Sequence, residues 1–191
     1  MPRKNRFTRE DMIAAALELT RTRGSAAVTA RGLAKALGSS SKPIFGLFES
    51  MDEVQRAVRD AACAIYQRRI DEAMTSGEFP PFKASGMAYT RFAREEPELF
   101  RLLFMRDRSN ERPEPQEDIR PLLTILQKNL GISEDEARRF HLEMWVCVHG
   151  IATMLATSYL DWPDEQVSRM LSDFYLGLKR RYEEENAYAG H

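Results

Sequence analysis

One stretch, Val28–Phe48, constrains the fold of this chain more than any other. Thr29 is suited to cap a short helix, and Gly38 is suited to end it. Apolar residues then recur at helical spacing on both sides of a serine run. They are Leu33, Ala34, Leu37, Ile44, Phe45 and Phe48. Two short amphipathic helices joined by a tight turn form a helix-turn-helix, in which the second helix presents residues to the DNA major groove.

Pro43 restricts where the second helix of this motif can begin. Proline lacks an N–H and fixes φ, so it is tolerated only in the first helical turn, and it disfavours helical angles at Lys42. The pattern therefore predicts a reading helix that begins near Ser40 to Lys42 and has little more than two turns.

The residues before this motif predict a third helix that supports it. Thr8 and Asp11 have the spacing of a capping box, Phe7 and Met12 have the spacing of a hydrophobic staple, and Gly24 is suited to end the helix. A helix-turn-helix pair cannot bury both apolar faces alone, so it needs such a partner. Residues 1–48 are thus predicted to form a three-helix DNA-binding domain.

The remainder, residues 49–191, has the pattern of a helical bundle. Helical patterns are predicted over residues 50–75, 82–95, 97–104, 121–130 and 134–160 and from residue 163 onward, with an exposed loop at 106–118. No segment shows the alternation of a strand. We expect an all-α fold of about nine helices, with a small head and a larger body for ligand binding and dimerisation.

The charge is distributed unevenly along the chain. Residues 1–48 contain nine Lys or Arg against three acids, a balance of +6, so the other residues sum to −7 within a net charge of −1. Phosphate neutralisation supplies much of the affinity of proteins for DNA. A basic head on an acidic body fits a protein that presents one end to DNA.

Several other classes of protein receive no support from the sequence. The apolar stretches are shorter than a membrane span, and the first residues lack a signal-peptide core, so we expect a cytoplasmic protein without membrane contact. No phosphate loop, nucleophile elbow or metal-spaced cluster is present, and His141 and His149 lie too far apart along a helix to share a metal ion. We therefore expect no catalysis, cofactor or metal. Cys63 and Cys147 are predicted to be buried reduced thiols.

The candidate DNA-binding residues lie at the start of the chain and in the predicted motif. Lys42 can donate hydrogen bonds to guanine or to phosphate, and Phe45 can lie against sugar or a thymine methyl group. Thr29 is expected to cap its helix and can also contact phosphate, and one residue of the serine run caps the next helix. The basic arm either contacts DNA or is a solvated tail. The full set is Arg3, Lys4, Arg6, Thr29, Ser39, Ser40, Ser41, Lys42 and Phe45.

The candidate ligand-binding residues are bulky side chains on different helices of the body. His149 is the most unusual of them, because it adjoins Gly150 in an otherwise apolar helix and is either a ligand contact or a satisfied core histidine. Each of the others is either a wall of a cavity or ordinary core. The set is Phe92, Phe100, Phe104, Met105, Met144, Trp145, Val148 and His149.

The motif residues of the head resemble the TetR/AcrR family of bacterial one-component regulators. They are Gly24, Val28, Thr29, Leu33, Ala34, Leu37, Gly38, Phe45 and Phe48. The resemblance covers Thr8 to Val54 closely, and Trp145 with His149 and Gly150 resembles a signature of one subgroup's C-terminal domain. It implies a homodimer whose last two helices pair into a four-helix bundle, two heads one DNA turn apart, a palindromic operator, and a small-molecule effector that releases the DNA.

The chain departs from the family at several positions of the motif. Family members often have an aliphatic residue at Ser39, Thr or Ala at Pro43, Tyr at Phe45, His or Tyr at Leu47, and Lys at Met51. The expected DNA contacts therefore shift to Lys42, to the serine-lined turn and to the basic arm.

The sequence thus predicts a transcriptional regulator, a repressor in most such architectures, that is released by a small, mostly apolar effector. The alternative is a helical interaction or architectural protein without sequence-specific DNA binding. That alternative would share the bundle, but it has no need of a basic helix-turn-helix head.

Overall fold

The computed structural model describes residues 7–107 and 116–189, which form eight α-helices and two 3-10 turns. The helices are α1 (Arg9–Arg23), α2 (Ala30–Ala36), α3 (Met51–Thr75), α4 (Pro81–Glu95), α5 (Pro97–Phe104), α6 (Gln116–Leu130), α7 (Glu134–Ala156) and α8 (Asp164–Ala189). The 3-10 turns are Ser25–Ala27 and Ile44–Gly46, and neither described range contains a strand. The all-α prediction is confirmed, with eight α-helices where the pattern suggested about nine helices.

The chain divides into two compact units. The first unit comprises Met1–Arg68 and Glu96–Arg106, and the second comprises Arg69–Glu95 and Asp107–His191. Helix α3 therefore contributes residues to both.

The first unit is built around α1, which contacts α2, the turn at Ser25–Ala27 and α5. The capping box of α1 is present as predicted, because the Thr8 amide donates to Asp11 Oδ2 (2.9 Å) and the Asp11 amide donates to Thr8 Oγ1 (3.1 Å). Near the other end of α1, Arg21 donates two hydrogen bonds to the Glu96 carboxylate, 2.9 and 3.1 Å long. The buried core is Met12, Ala16, Leu17, Val28, Leu33, Ile44, Phe48, Val54, Val58, Leu99 and Phe100.

The second unit is built around α4, which packs against α6, α7 and α8. Asp164, at the start of α8, accepts hydrogen bonds of 2.6 Å from Arg91 and from Arg94 of α4. Burial by itself raises the pKa of Asp164, but these two guanidinium groups outweigh it and hold the pKa below its ordinary value. Arg91 also binds both carboxylate oxygens of Glu78, so one arginine ties the loop before α4 to the start of α8.

The predicted reading helix is wrong in its length. The segment forms a single 3-10 turn, Ile44–Gly46, in place of an α-helix of more than two turns. Pro43 provides no N–H, and the bonds from the Gly46 amide to Pro43 O and from the Leu47 amide to Ile44 O run over three residues. A single bond over four residues follows, from the Phe48 amide to Ile44 O. The local geometry is therefore a tight turn with an exposed outer side.

Three other boundaries differ from the sequence pattern. Helix α6 begins at Gln116 with Pro121 inside it, although proline was expected to mark its start. Helix α7 ends at Ala156 and not near Leu160, because Ser158 adopts φ 56° and the chain turns there. Of the predicted loop at 106–118, residues 108–115 lie outside the described residues and 116–118 belong to α6.

Gly32 lies where the chain leaves no space for a side chain. A Cβ atom at this position would approach the Ala27 carbonyl oxygen to 2.3 Å. The amide of Gly32 also donates to Thr29 Oγ1 (3.0 Å), which caps α2. Any side chain here would push α2 away from the preceding turn.

We expect Gly32→Ala to lower the free energy of unfolding by about 1–3 kcal/mol, since overpacking against backbone outweighs the gain in helix propensity. Gly46→Ala is the matched control, because a Cβ atom added there would have no other atom within 4 Å. Urea unfolding of both variants at one protein concentration measures the difference. Equal stability of Gly32→Ala and the control would contradict the close approach.

Candidate functional site

The turn between α2 and the Ile44–Gly46 segment forms the centre of the candidate DNA-binding surface. Gly38 adopts φ 58°, and the Ser39 amide donates to Ala34 O (2.9 Å), so the chain reverses directly after α2. Ile44 and Phe48 point into the core and are almost completely buried, as predicted. The two core residues fix the turn, and Ser40, Lys42, Phe45 and Gly46 are exposed beside them.

The predicted DNA-contacting residues that the structure describes all lie in the first unit. Thr29, Ser40, Lys42 and Phe45 are exposed, whereas Ser39 and Ser41 are half-buried. Phe45 exposes 51% of its surface, an unusual position for a large aromatic side chain in a head of this size. Arg3, Lys4 and Arg6 lie outside the described residues.

Thr29 has a structural role that affects how its substitution is interpreted. Its side chain accepts the hydrogen bond from the Gly32 amide and thereby caps α2, as predicted. Loss of such a cap costs about 1 kcal/mol. A Thr29→Ala variant would therefore weaken α2 itself, and Lys42 gives a cleaner test of DNA contact.

Two further cations extend the exposed basic surface of the head. Arg31 and Lys35 lie on α2, both exposed, and no described residue forms an ion pair with either. Their spacing of four residues places them on one side of α2. This spacing is visible in the sequence, but the net charge of the head does not reveal that the two side chains share a face.

Arg9 holds the start of α1 to the turn and to α3. Its guanidinium donates to Leu47 O (3.0 Å) and to Glu53 Oε1 (2.7 Å), and it lies 4.1 Å from the centre of the Phe48 ring. In the sequence Arg9 is only one of the cations of the basic head. Its partners are 38 and 44 residues away along the chain, so no local pattern indicated the contact.

Glu53 is the anionic partner in this arrangement. The Glu49 amide donates to Glu53 Oε2 (2.7 Å), and this bond, followed by the bond from Arg9, lowers the pKa of Glu53 below its ordinary value of 4.5. Because the folded-state pKa is lowered, the ionised carboxylate stabilises the fold above pH 4.5, and this contribution is lost as the pH falls through the lowered value.

We expect Glu53→Gln to be less stable than the wild type at neutral pH, and the difference to shrink as the pH falls below 4.5. Urea unfolding across an acid pH series measures it. In an Arg9→Met background the effect of Glu53→Gln at neutral pH should be smaller, because the Arg9 guanidinium, one of the two donors to the Glu53 carboxylate, is already absent. Parallel stability curves for wild type and Glu53→Gln at all pH values would show that the charge of Glu53 does not contribute.

The candidate ligand-binding residues are divided between the two units. Three of them, Phe100, Phe104 and Met105, belong to the first unit, where Phe100 is buried, Phe104 is half-buried and Met105 is exposed. The Phe104 ring packs against Phe100 and Tyr66, with ring centres 5.2 Å apart in each pair. These contacts show ordinary aromatic packing at the end of α5.

The other five candidates belong to the second unit. Phe92, Met144 and Val148 are buried, His149 is half-buried, and Trp145 exposes 38% of its surface. The Trp145 and His149 rings are stacked, with centres 4.9 Å apart and planes inclined by 16°. His149 Nδ1 and the Tyr89 hydroxyl lie 2.9 Å apart and share a hydrogen bond. Burial lowers the pKa of His149, so the ring is neutral at neutral pH.

Tyr89 was not among the sequence candidates. It lies on α4 and is almost completely buried, and only the fold brings it to His149, 60 residues away along the chain. The histidine that looked unusual in sequence thus has a side-chain partner. The Tyr89–His149–Trp145 group combines a hydrogen-bonded pair with an exposed aromatic face.

An open cleft of about 330 Å³ lies between the end of α3 and α4 in the second unit. Its charged side chains are largely engaged with one another, since Arg69 binds Glu95 (2.6 Å) and Arg91 binds Glu78. None of the sequence candidates lines it. The lining residues are Arg69, Glu72, Ala73, Ser76, Glu78, Ala88, Arg91 and Glu95.

The prediction that both cysteines are buried is wrong for Cys63. This residue follows the buried Ala62 on α3, and one step along a helix turns its side chain outward to solvent. Cys147 is half-buried, and burial raises the pKa of its thiol to about 11, which keeps it protonated.

Neither a metal cluster nor a membrane-spanning helix is found in the described ranges. No group of three His, Cys, Asp or Glu side chains there is arranged to hold a metal ion. No helix in those ranges is both long and apolar enough to cross a bilayer.

Comparison with known protein families finds a match that covers parts of the chain from α4 to α8. Residues 82–174 match the family model described as "Tetracyclin repressor-like, C-terminal domain". A comparison with curated protein sequences found no significant match. The matched segment runs from the start of α4 to the middle of α8 and contains the Tyr89–His149–Trp145 group.

Proposed function

Since the chain belongs to the TetR family of regulators, we propose that it is a homodimeric repressor that binds a palindromic DNA operator and is released by a small, mostly apolar effector. Regulators of this family are generally not enzymes. The DNA-binding domain is residues 1–48, and residues 49–191 bind the effector and the second copy.

The exposed position of Lys42 is the observation that carries the DNA-binding proposal. It lies exposed next to Pro43, directly before the Ile44–Gly46 turn that the buried Ile44 and Phe48 hold in place. A lysine on a rigid turn can donate to phosphate oxygens or to the O6 and N7 atoms of guanine. Ser39, Ser40 and Ser41 supply hydroxyl groups beside it, and Phe45 supplies an apolar contact.

We propose that the other cations of the head supply DNA affinity that does not depend on the base sequence. Arg31 and Lys35 of α2 contact phosphates, as do Thr29 and the basic arm with Arg3, Lys4 and Arg6. Each phosphate contact releases counterions, so binding should weaken steeply as salt increases. An interaction protein without DNA binding would show no such dependence.

We expect Lys42→Ala to weaken operator binding by at least roughly thirtyfold, because the dimer loses two base contacts of about 1–3 kcal/mol each. The operator is first selected by the protein from random-sequence duplexes, and gel shifts at several salt concentrations then measure the affinity. A contact to phosphate alone would instead reduce the salt slope by about two, one for each subunit, uniformly across sequences.

Lys128→Ala is the matched control for this experiment. Lys128 is exposed near the end of α6 in the second unit, so its loss removes one charge outside the proposed head. Affinity and salt slope should stay near those of the wild type. If the chain selects no palindromic sequence, or if both variants bind as the wild type does, the DNA-binding proposal fails.

The dimer proposal rests on an exposed apolar face of the second unit. On α7, Leu142 and Val146 expose 57% and 60% of their surface and Met154 exposes 42%, at intervals that are multiples of four residues. Rows at this spacing are the ridges by which α-helices pack together. Gly150 falls on the same row with open space around its Cβ position, and Phe174 of α8 exposes 46%.

We expect Val146→Glu to convert the dimer into a monomer, because it would bury two uncompensated carboxylates at a two-fold interface. Light scattering after size exclusion measures the mass. Phe45→Glu is the control, since this exposed aromatic residue lies in the first unit and should leave the dimer intact. A wild-type chain that is already monomeric at micromolar concentration would refute the dimer.

The effector proposal places its contacts mainly on α7. Met144, Trp145, Val148 and His149 lie along this helix, and Phe92 of α4 belongs to the same unit. The partly exposed Trp145 indole, stacked on His149, offers a flat apolar surface for a ring-bearing effector. Phe100, Phe104 and Met105, in the first unit, are separate candidates for effector contact.

A further inference from the structure

Five rings of the second unit form a connected group, which we call the distal aromatic cluster: Phe82, Phe140, His141, Tyr175 and Tyr182. The Phe140 ring centre lies 5.4 Å from Tyr175 and 5.4 Å from Tyr182. The Phe82 ring centre lies 6.2 Å from His141 and 6.0 Å from Tyr175. Around these rings are buried aliphatic residues of α6 and α7, including Leu123, Leu126 and Met144.

Two polar atoms in this cluster are buried and make no hydrogen bond of ordinary length in the described part of the chain, although the Arg181 guanidinium interacts weakly with one of them, the Tyr182 hydroxyl. They are the Tyr182 hydroxyl oxygen and His141 Nδ1. Tyr182 exposes only 3% of its surface. A buried polar group that lacks a partner costs about 1–3 kcal/mol, so a molecule that pairs with it gains more here than it would on the surface.

Arg181, the cation that packs on the Tyr182 ring, is already paired with carboxylates. Arg181 lies 5.0 Å from the centre of the Tyr182 ring, but it binds the Glu143 carboxylate at 2.6 and 2.7 Å and lies 3.7 Å from Glu185. Burial lowers the pKa of His141 and raises the pKa of Tyr182, so both side chains are neutral at neutral pH. Arg181, Glu143 and Glu185 are therefore already engaged with one another.

The burial pattern provides a route to the cluster. Phe82, His141 and Tyr175 are half-buried, whereas Phe140 and Tyr182 are almost completely enclosed. Solvent therefore reaches the half-buried rings but not the enclosed ones. The unpartnered Tyr182 hydroxyl belongs to the enclosed part.

We propose that the distal aromatic cluster binds a small, neutral, ring-bearing molecule with one hydroxyl or carbonyl oxygen, which packs on the rings and hydrogen-bonds to Tyr182 and His141. The inference rests on the proposed effector role of the second unit, and it adds a second site, whose five rings are not among the effector contacts proposed above. Phenol is the simplest molecule of this class. Toluene has nearly the same shape and lacks the oxygen.

The test compares phenol with toluene on the full chain by thermal shift and by calorimetric titration. Phenol should stabilise the wild type more than toluene does. In Tyr182→Phe the affinity for phenol should fall roughly three- to tenfold, as expected for one lost neutral hydrogen bond, and the preference for phenol over toluene should disappear. His141→Phe should reduce the same preference.

Tyr175→Phe is the matched control. It also removes a hydroxyl from the cluster, but the Tyr175 hydroxyl is not among the buried unpartnered atoms. It should keep the preference for phenol. Without ligand, Tyr182→Phe should melt at or above the wild-type temperature, since it removes an unpaired buried group. A lower melting temperature would show that an ordered water already pairs the hydroxyl, and that result would overturn the proposal.

Equal binding of phenol and toluene to the wild type would also overturn it. DNA binding measured on the same preparations separates this failure from failure of the proposed function. A protein that binds its operator but does not prefer phenol refutes only the distal site. A protein that binds phenol through Tyr182 but binds no DNA refutes the regulator proposal and leaves the site itself in place.

Discussion

The guanidinium of Arg9 is the contact on which the candidate DNA-binding surface depends most. A single 3-10 turn has few internal hydrogen bonds and cannot hold its own orientation. Arg9 supplies what the turn lacks, because it binds the Leu47 carbonyl, the Glu53 carboxylate and the face of Phe48 together. Three parts of the chain thus meet at one side chain. The short reading element is rigid because of tertiary contacts, and its own sequence contributes mainly two buried anchors, Ile44 and Phe48.

The features that were predictable from the sequence are those with a local cause. The cap at Thr8 follows from Asp11 three positions later and the cap at Thr29 from its residue type, and the structure has both. The buried positions of Leu33 and Ala34 follow from helical spacing, and the all-α fold follows from the sum of such patterns. The length of the reading element did not follow, because Pro43 removes a donor and the pattern of apolar residues does not show whether hydrogen bonds span three residues or four.

The candidate sites were predictable to different degrees for the same reason. The exposed side of the turn comes from one continuous segment, so the residue types within it were enough to indicate Lys42 and Phe45. The body combines residues far apart in sequence, and spacing within one helix could not pair His149 with Tyr89 or leave the Tyr182 hydroxyl without a partner. Size and apolar character alone selected Phe100 and Phe92 together, although they belong to different units.

The close approach at Gly32 has a consequence for genetics. A side chain at this position would displace α2 and, with it, the turn that follows, although Gly32 has no side chain with which to contact bases. In a screen for lost regulation, the proposed function therefore predicts the same phenotype for alleles at Gly32 and at Lys42. Only the amount of folded protein in the cell would distinguish them. A Gly32 allele destabilises the packing of α2, whereas a Lys42 allele removes a hydrogen-bond donor from an intact surface. A map of DNA contacts drawn from such phenotypes alone would include a residue that never contacts DNA.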